Sequence, residues 1–349
     1  MSEFPFPTPL YPGIDVDAND GSKINAVSIT FMAISFSTIC LRMFSRWWTK
    51  IEFGTDDHLI LFAAFLTWIY SAIMIYEVQQ NFFGQHIGKV DVVHLTSFVK
   101  ALYVGSILYP VCLTFSKLSL LALYWRIFRV SSGRIPVIVA CAVNIAWMTA
   151  AVLVGIFMCV PVQGFWNPQI KARCVRYPVF FISNEAFTIA LDIVVLVMPV
   201  YFISSIKRSL SQRISISSTF LLGLVVTVIS CIRLWRLVHA GQLPGFDPTF
   251  DDVDAGMWGV IELNLWVVVA SIPTIRPLIG KIMRDREETK KSGSGSSYTY
   301  ALSSFGRSYK TKLGRSKGSS LPSSDSRDPL PIEGYALSVP GKSQDSARY

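Results

Sequence analysis

The chain has 349 residues, of which 51% are hydrophobic and only 16% are charged, and its mean hydropathy is +0.44. This composition excludes an ordinary soluble domain and predicts several membrane-spanning segments of about 20 apolar residues each. The net charge of +9 would suggest nucleic-acid binding in a soluble protein. Here the basic residues lie mainly between apolar segments and in the C-terminal tail, so we expect no nucleic-acid partner.

Residues 1–23 are predicted to form a short extracellular N-terminus. They contain four acidic residues and several prolines but no apolar core of a signal peptide, so we expect the first helix to be its own insertion signal. Seven apolar segments follow within residues 24–281, and they predict an all-α bundle of seven transmembrane helices. The segments are Ile24–Phe44, His58–Val78, Val99–Phe128, Ile135–Val160, Pro178–Ile206, Ile214–His239 and Ala255–Gly280.

The basic residues predict the orientation of this bundle, because cytoplasmic connections of membrane proteins are rich in lysine and arginine. They are concentrated in the first, third and fifth connections and directly after the seventh segment, which places the N-terminus outside and the C-terminus in the cytoplasm. The fourth connection, with Lys171, Arg173 and Arg176, disagrees with this assignment. The basic residues of the three inner connections are Arg42, Arg46, Lys50, Arg126, Arg129, Arg134, Lys207, Arg208 and Arg213.

Residues 282–349 are rich in serine, glycine, lysine and proline, a composition that predicts a disordered cytoplasmic tail. Serines next to basic residues in this tail are candidate kinase sites. A solvated tail without a fixed role is the alternative interpretation.

One lysine, Lys117, lies inside the third apolar segment, about nine residues or roughly 13 Å from Arg126. An unpaired ammonium near the middle of a bilayer costs about 2.5–3.5 kcal/mol or more, so we expect Lys117 to face the bundle interior and to be paired. Asp192 on the fifth segment lies at a similar depth. We therefore predict a buried Lys117–Asp192 ion pair that braces the helices, with a ligand or proton-relay role as the alternative.

A second polar layer is predicted nearer the outer ends of the helices, where charged and amide side chains of four segments reach overlapping depths. Two interpretations stay open. A cavity lined by Arg233, Glu262 and Glu185 would bind a ligand, whereas an ion-pair network of the same residues would lock the helices together. The residues of this layer are Glu77, Glu185, Arg233, Arg236, Glu262 and Asn264.

Two cysteines, Cys159 and Cys174, flank the fourth connection on the predicted outer face, where disulfides persist. We predict a disulfide between them, and a Cys112–Cys174 bond is the alternative. The remaining cysteines lie inside helices and are expected to be small packing residues.

Two shorter polar clusters flank the second apolar segment. Asp56 and Asp57 begin it, and acids in this position stabilise a helix N-terminus through its free N–H groups and its dipole. His86 and His94 follow it on the predicted outer side, where they are candidates for pH sensing or metal binding. Because no third ligand accompanies them, we expect no metal site.

The sequence lacks the HExxH, GxSxG, P-loop and Rossmann glycine motifs, so we expect neither an enzyme nor a bound cofactor. The seventh segment has no lysine before Lys281, whereas microbial opsins hold retinal on a lysine of that helix as a Schiff base. The third segment ends in Tyr124-Trp125-Arg126 rather than the acid-Arg-aromatic triplet of animal receptors, so these residues do not indicate coupling to a G protein.

Several short segments occur together in a specific order: Gly54–Ile60, Phe83–His86, Lys117–Leu121 with Tyr124–Phe128, Cys159–Cys174, Asp192–Pro199, Gly223–Arg233, Glu262–Asn264 and Pro273–Pro277. Together they resemble the fungal rhodopsin-domain family, whose seven-helix members include receptor-like surface sensors and proteins encoded in toxin gene clusters. The resemblance covers about residues 24–281 and implies a plasma-membrane protein, but it does not imply retinal. The N-terminus lacks the cysteine-rich extracellular module of some relatives, so ligand capture by such a module is not expected.

The sequence thus supports one leading functional hypothesis and two alternatives. The leading hypothesis is a receptor-like surface sensor in which an unknown extracellular ligand biases helix packing, and the inner connections and the tail report the change to a cytoplasmic signalling partner. The first alternative is a transporter or efflux protein that uses Lys117, Asp192 and Glu262 as ion or proton sites. The second is a membrane accessory to a secondary-metabolite pathway.

Overall fold

The computed structural model describes residues 18–127, 131–204, 210–240, 247–275, 278 and 280. Within these residues seven helices are long and apolar enough to cross a membrane, which confirms the predicted all-α, seven-span architecture. They are α1 (Gly21–Thr49), α2 (Thr55–Gln80), α3 (Val92–Ile127), α4 (Ser131–Ile156), α5 (Tyr177–Ser204), α6 (Leu210–Ala240) and α7 (Val253–Ile275).

The helices differ in how much of their apolar surface is covered by the rest of the protein. In the most apolar stretch of α3 and of α7, 67% of the residues are buried, whereas the corresponding share in α1 and α4 is 22%. α3 and α7 therefore form the centre of the bundle. Exposed apolar side chains on the outer helices, such as Phe36, Ile138 and Leu153, suit contact with lipid tails, so the bilayer is the partner that this surface requires.

α1 extends beyond the apolar run Ile24–Phe44 and ends only at Thr49. A helix does not stop where the hydrocarbon region stops, because its backbone hydrogen bonds continue through the headgroup region. Trp47 is exposed at this end, as is typical of residues at a membrane interface. Arg42 and Arg46, which the sequence assigned to the first connection, therefore lie inside α1.

The connections at the end of the bundle that carries the N-terminus pack into a cap. Between α4 and α5, strands β1 (Cys159–Val160) and β2 (Arg173–Cys174) pair in an antiparallel manner. The predicted disulfide joins Cys159 to Cys174 across this pair. Cys112 is a buried free cysteine on α3, so the alternative Cys112–Cys174 bond is wrong.

Gly84, in the connection between α2 and α3, ties three segments of the cap together. Its N–H donates to the Thr249 carbonyl at 2.9 Å, and its own carbonyl accepts the Asp20 N–H at 3.1 Å. Its φ of +105° lies in the left-handed region, and a side chain here would collide with the backbone of Gly21. Only glycine therefore lets these segments approach so closely.

Several sequence predictions fall on residues that the structure does not describe. They concern the tail at residues 282–349, most of the N-terminal segment at residues 1–17, and Arg129, Lys207 and Arg208 of the inner connections. The disorder of the tail and the orientation inferred from basic residues therefore stay predictions.

Candidate functional site

Lys117 and Asp192 meet in the middle of the bundle. The Lys117 ammonium lies 2.7 Å from Asp192 Oδ1, and both side chains are buried. The same ammonium donates to the Thr188 carbonyl at 3.4 Å and lies 5.6 Å from the centre of the Trp266 ring. The structure thus brings together the two residues that the depth argument paired, on α3 and α5.

Arg233 on α6 is the centre of a second buried group. Its guanidinium donates to Glu185 at 2.6 Å, lies 3.5 Å from Glu262, and donates through Nε to the Ala255 carbonyl at 3.2 Å. The guanidinium also lies over the ring of Tyr109, 4.1 Å from its centre, and the Tyr109 hydroxyl donates to Glu262 at 2.6 Å. Four helices, α3, α5, α6 and α7, therefore meet at one arginine.

Ser230 joins the two groups into one. Its hydroxyl donates to Glu262 Oε1 at 2.7 Å and lies 3.5 Å from Asp192 Oδ2. The two separate layers expected from the sequence therefore form one continuous set of buried polar side chains. We call this set the cavity network, and it consists of Lys117, Asp192, Glu185, Arg233, Glu262, Ser230 and Tyr109. The sequence offered one signal for Ser230, because it precedes Arg233 by three residues and so lies one turn deeper on the same face.

The charges of the cavity network do not balance. Two cations, Lys117 and Arg233, face three carboxylates, Asp192, Glu185 and Glu262. In addition, Glu185 Oε1 is buried and has no hydrogen-bond partner among the described residues. A buried carboxylate oxygen without a hydrogen-bond partner is unfavourable, so the network favours taking up a proton or a cationic group.

Three residues of the predicted outer layer lie outside the cavity network. Asn264 accepts a hydrogen bond from Ser35 at 2.7 Å and donates to Ser71 at 3.2 Å, so it packs α7 against α1 and α2. Arg236 pairs instead with Asp254 at 2.8 Å near the surface. Glu77 is buried, and both of its oxygens accept from the Asn81 amide at 2.9 Å.

A cavity adjoins the cavity network, between α2, α3, α5 and α6 and beneath the cap, with about 60 Å³ of space for the centres of water-sized molecules. Its wall is mainly aromatic and aliphatic, as in most small-molecule sites. The apolar wall includes Tyr70, Met74, Phe83, Phe98, Leu102 and Phe181, and the polar groups that line it include Glu77, Tyr109, Asn184, Glu185 and Arg233.

A second set of buried charges lies at the opposite end of the bundle, between α1 and the start of α2. Arg42 contacts Asp56 at 2.7 Å and Asp57 at 2.8 Å, and Arg46 contacts the same two acids at 2.7 and 3.0 Å. We call these four residues the α1–α2 lock. Asp57 also accepts the Gly54 N–H at 3.0 Å, so the predicted helix-capping role is correct for this residue but incomplete.

The α1–α2 lock is also attached to the two central helices. Arg42 donates to the Ala270 carbonyl of α7 at 2.7 Å, and Ser119 of α3 donates to the Asp56 carbonyl at 2.7 Å. The remaining Asp56 oxygen lies 3.8 Å from Arg126. The two buried arginines thus face two carboxylates, with the exposed Arg126 as a more distant third cation, and each carboxylate oxygen lies near a cation or a backbone N–H.

The histidines of the cap make no metal site in the described part of the chain, where no group of three or more metal-binding side chains occurs. His86 lies 3.2 Å from Asp247 and stacks on Phe250 at 4.0 Å between ring centres. His94 contacts the edge of the Phe82 ring. Both histidines therefore belong to the packing of the cap.

Asp252, just before α7, is a buried acid of the cap. It accepts a hydrogen bond from the Tyr177 hydroxyl at 2.6 Å. Burial disfavours its charged form and raises the pKa of its carboxyl to about 7, although the Tyr177 hydrogen bond acts in the opposite direction. The cap therefore contains an acid that titrates near neutral pH.

Comparison with known proteins gives relatives of two kinds. A biosynthesis gene cluster protein for polyenoic acids from Metarhizium anisopliae is 24% identical over 75% of this chain and 75% of its own length. The satratoxin biosynthesis SC1 cluster protein 4 of Stachybotrys chartarum is 27% identical over 50% of this chain, and the receptor GIN3 of Arthrobotrys oligospora is 27% identical over 71%. The matches span only 63% and 60% of the length of these last two relatives.

No solved structure matches the chain. The sequence model of the fungal rhodopsin domain, however, matches residues 41–281, which is more than half of the chain and includes every member of the cavity network. The protein is therefore a multi-pass membrane protein that belongs to the fungal rhodopsin domain family.

Proposed function

We propose that the protein is a receptor-like sensor of the plasma membrane that binds an extracellular ligand in the cavity. The observation that carries this proposal is that Glu185 and Arg233 line the cavity and also hold α5, α6 and α7 together. A molecule that enters the cavity would contact the groups that fix the packing of these helices. Differential contact with two helix arrangements is what lets a ligand shift a conformational equilibrium.

A route from the cavity to the other end of the bundle runs along the central helices. α3 carries Tyr109 of the cavity network and Ser119, which bonds the α1–α2 lock. α7 carries Glu262 of the cavity network and the Ala270 carbonyl, which accepts from Arg42. A shift of either helix would therefore change contacts in both the cavity network and the α1–α2 lock. At the end that carries the lock, the inner connections and the tail can present the change to a cytoplasmic partner.

The proposed orientation places the cavity at the outer face of the membrane. It is supported by the basic residues at the α1–α2 and α3–α4 ends. It is also supported by the Cys159–Cys174 disulfide at the capped end, since disulfides persist in oxidising compartments. Protease digestion of spheroplasts that carry a C-terminal epitope tests it: the epitope should survive until the membrane is permeabilised.

The relatives support two of the functional hypotheses to different degrees. The receptor GIN3 supports the sensor. The biosynthesis-cluster proteins support the alternative of a membrane accessory to a secondary-metabolite pathway.

The buried Lys117, Asp192 and Glu262 also suit a proton-coupled transporter. Catalysis is no part of the proposal, because the polar groups of the cavity network bond mainly to one another.

A complementation experiment separates the sensor from the transporter. A strain that lacks the protein receives the full chain, the chain cut after residue 281, or the Gly105→Leu variant. The new leucine side chain would enter the cavity. The change in transcript levels on addition of environmental extracts is then measured. The sensor predicts that both changes abolish the response at unchanged membrane abundance. A response that survives loss of the tail but not filling of the cavity would favour transport, and a response that survives both would contradict the proposal.

A flux measurement gives an independent check. In liposomes that contain the full chain and an enclosed pH-sensitive dye, the sensor predicts the same proton leak for the wild type, for Asp192→Asn and for the exposed control Asp254→Asn. A leak that only Asp192→Asn removes would support the transporter instead.

A further inference from the structure

Resting on the proposed role of the cavity, we infer that its ligand is a small amphiphilic amine, with an apolar body and a protonated amino group next to Glu185. The body of such a molecule matches the apolar wall formed by Met74, Phe83, Phe98 and Phe181. Cavities with a mainly apolar wall and a small number of convergent polar groups are typical of small-molecule sites.

Two buried acceptors beside the cavity define the chemistry of the polar group. Glu185 Oε1 and Asn184 Oδ1 have no hydrogen-bond partner among the described residues, although the two side chains are only 1% and 7% exposed. Both residues line the cavity. An ammonium has three N–H donors and no acceptor, so it matches a cavity wall whose unpartnered polar atoms are acceptors.

The charges favour a cation over a neutral or an anionic group. The cavity network contains three carboxylates but only two cations. Glu77 adds a further carboxylate to the cavity wall, and the side chain that bonds it in the described part of the chain is the neutral Asn81. An alcohol would satisfy one acceptor but would leave the excess negative charge in place. An amine would reduce this charge and would gain charge-assisted hydrogen bonds.

Arg233 does not recruit an anionic ligand in this arrangement. Its guanidinium already contacts Glu185, Glu262 and the Ala255 carbonyl, and the Tyr109 ring covers one face. A ligand carboxylate would have to displace one of these partners and would lie close to two buried acids. Like charges at this distance are strongly unfavourable in a buried site.

Three matched probes test the inference: 4-phenylbutylamine, 4-phenylbutan-1-ol and 4-phenylbutanoate, which differ only in the polar end group. Binding to the full chain in nanodiscs of zwitterionic lipid is measured by calorimetry and by the rise of the unfolding temperature. We expect the amine to bind about tenfold more tightly than the alcohol or the acid, the factor typical of a charge-assisted hydrogen bond. Glu185→Gln should remove this preference, whereas Asp254→Asn, which neutralises an exposed acid at the same end, should leave it unchanged.

Gly105→Leu separates failure of the inference from failure of the proposed function. A Cβ at Gly105 would lie 3.7 Å from the Tyr70 ring, in ordinary contact, so a longer side chain can enter the cavity without displacing backbone. If the alcohol or the acid binds best and Gly105→Leu blocks it, the cavity is a ligand site but the amine is the wrong class. An amine preference that survives Glu185→Gln, or no binding by any probe, would also overturn the inference. Binding that Gly105→Leu leaves unchanged would count against the cavity itself and hence against the proposed function.

Discussion

The two buried charge clusters of this protein both join basic and acidic side chains of different helices, but they differ in the balance of their charges. In the α1–α2 lock, two arginines face two aspartates, and every carboxylate oxygen lies near a cation or a backbone N–H. In the cavity network, two cations face three carboxylates, and Glu185 Oε1 has no partner in the described part of the chain. The unbalanced cluster adjoins an enclosed cavity, whereas the balanced cluster is bordered by open surface clefts that Asp56 and Arg46 line.

This difference indicates which cluster is structural and which is functional. A fully paired buried cluster holds the helices in place, and removal of one partner leaves a buried charge that neither an ion-pair partner nor water stabilises. A cluster with an excess carboxylate and free space beside it has a site where a proton or a ligand can bind, so part of its stability depends on what occupies that site. The α1–α2 lock then holds the bundle together, whereas the cavity network lets the helix packing change when a proton or a ligand binds.

The largest expected effect is that of Arg42→Met in the α1–α2 lock. The change removes one of the two arginines that pair with Asp56 and Asp57, and it removes the donor to the Ala270 carbonyl, so we expect a loss of about 3–5 kcal/mol in the free energy of unfolding. Size-exclusion chromatography after heating of the detergent-solubilised protein measures it.

Arg236→Met is the matched control for this variant. Arg236 also pairs with an aspartate, but its side chain is 43% exposed, so its loss should cost at most about 1 kcal/mol. Equal unfolding temperatures for the two variants would show that the α1–α2 lock does not stabilise the bundle.

A smaller loss is expected for Lys117→Met in the cavity network. This change removes the cation that pairs with the Asp192 carboxylate and donates to the Thr188 carbonyl, whereas the Ser230 hydroxyl still lies near Asp192. We expect a loss of about 2–3 kcal/mol in the same assay. Asp192→Asn in the Lys117→Met background should restore part of it, and wild-type stability of the single variant would contradict the bracing role of the pair.

Asp252 allows the pH dependence of the cap to be separated from that of the cavity network. Its pKa of about 7 in the folded protein lies above its value of about 4 in the unfolded chain, so between these values the folded state holds a proton that the unfolded state has lost. Its contribution to stability is therefore full below about pH 4, falls as the pH rises, and is constant above about pH 7. Unfolding temperatures measured against pH should fall less steeply for Asp252→Asn than for the wild type.

Asp254→Asn is the control for this pH series, since the Asp254 side chain is 38% exposed and pairs with Arg236. It should leave the slope unchanged. A wild-type slope in Asp252→Asn would place the titration in another group, and the cavity network would be the next place to look.

Much of the fold could be predicted from the sequence, because a bilayer imposes long apolar helices and makes isolated buried charges costly. The depth of Lys117 and Asp192 along their helices was enough to pair them, since both needed a partner. The Cys159–Cys174 bond was predicted from the place of both cysteines in a connection on the expected oxidising side, with Cys112–Cys174 left open as an alternative. The ion-pair prediction needed only distance along the chain and the cost of burial.

The α1–α2 lock could not be predicted in the same way. Arg42 lies near the end of an apolar run and Arg46 follows it, so both look like basic residues of a cytoplasmic connection, and Asp56 and Asp57 look like helix caps. Their pairing depends on α1 continuing to Thr49, past the end of its apolar run. Ser230 was missed because a hydroxyl in an apolar helix usually bonds its own backbone, as this one also does at 3.1 Å.

The contrast between the two clusters is tested most directly by neutralising one carboxylate in each and comparing the unfolding temperatures at neutral pH. Glu185→Gln leaves two cations opposite two carboxylates and keeps an acceptor for Arg233, so we expect an unfolding temperature equal to or above that of the wild type. Asp57→Asn leaves two arginines with one aspartate, so we expect a loss of about 3 kcal/mol or more. A marked loss in Glu185→Gln, or wild-type stability in Asp57→Asn, would contradict the assignment of the cavity network to function and of the α1–α2 lock to structure.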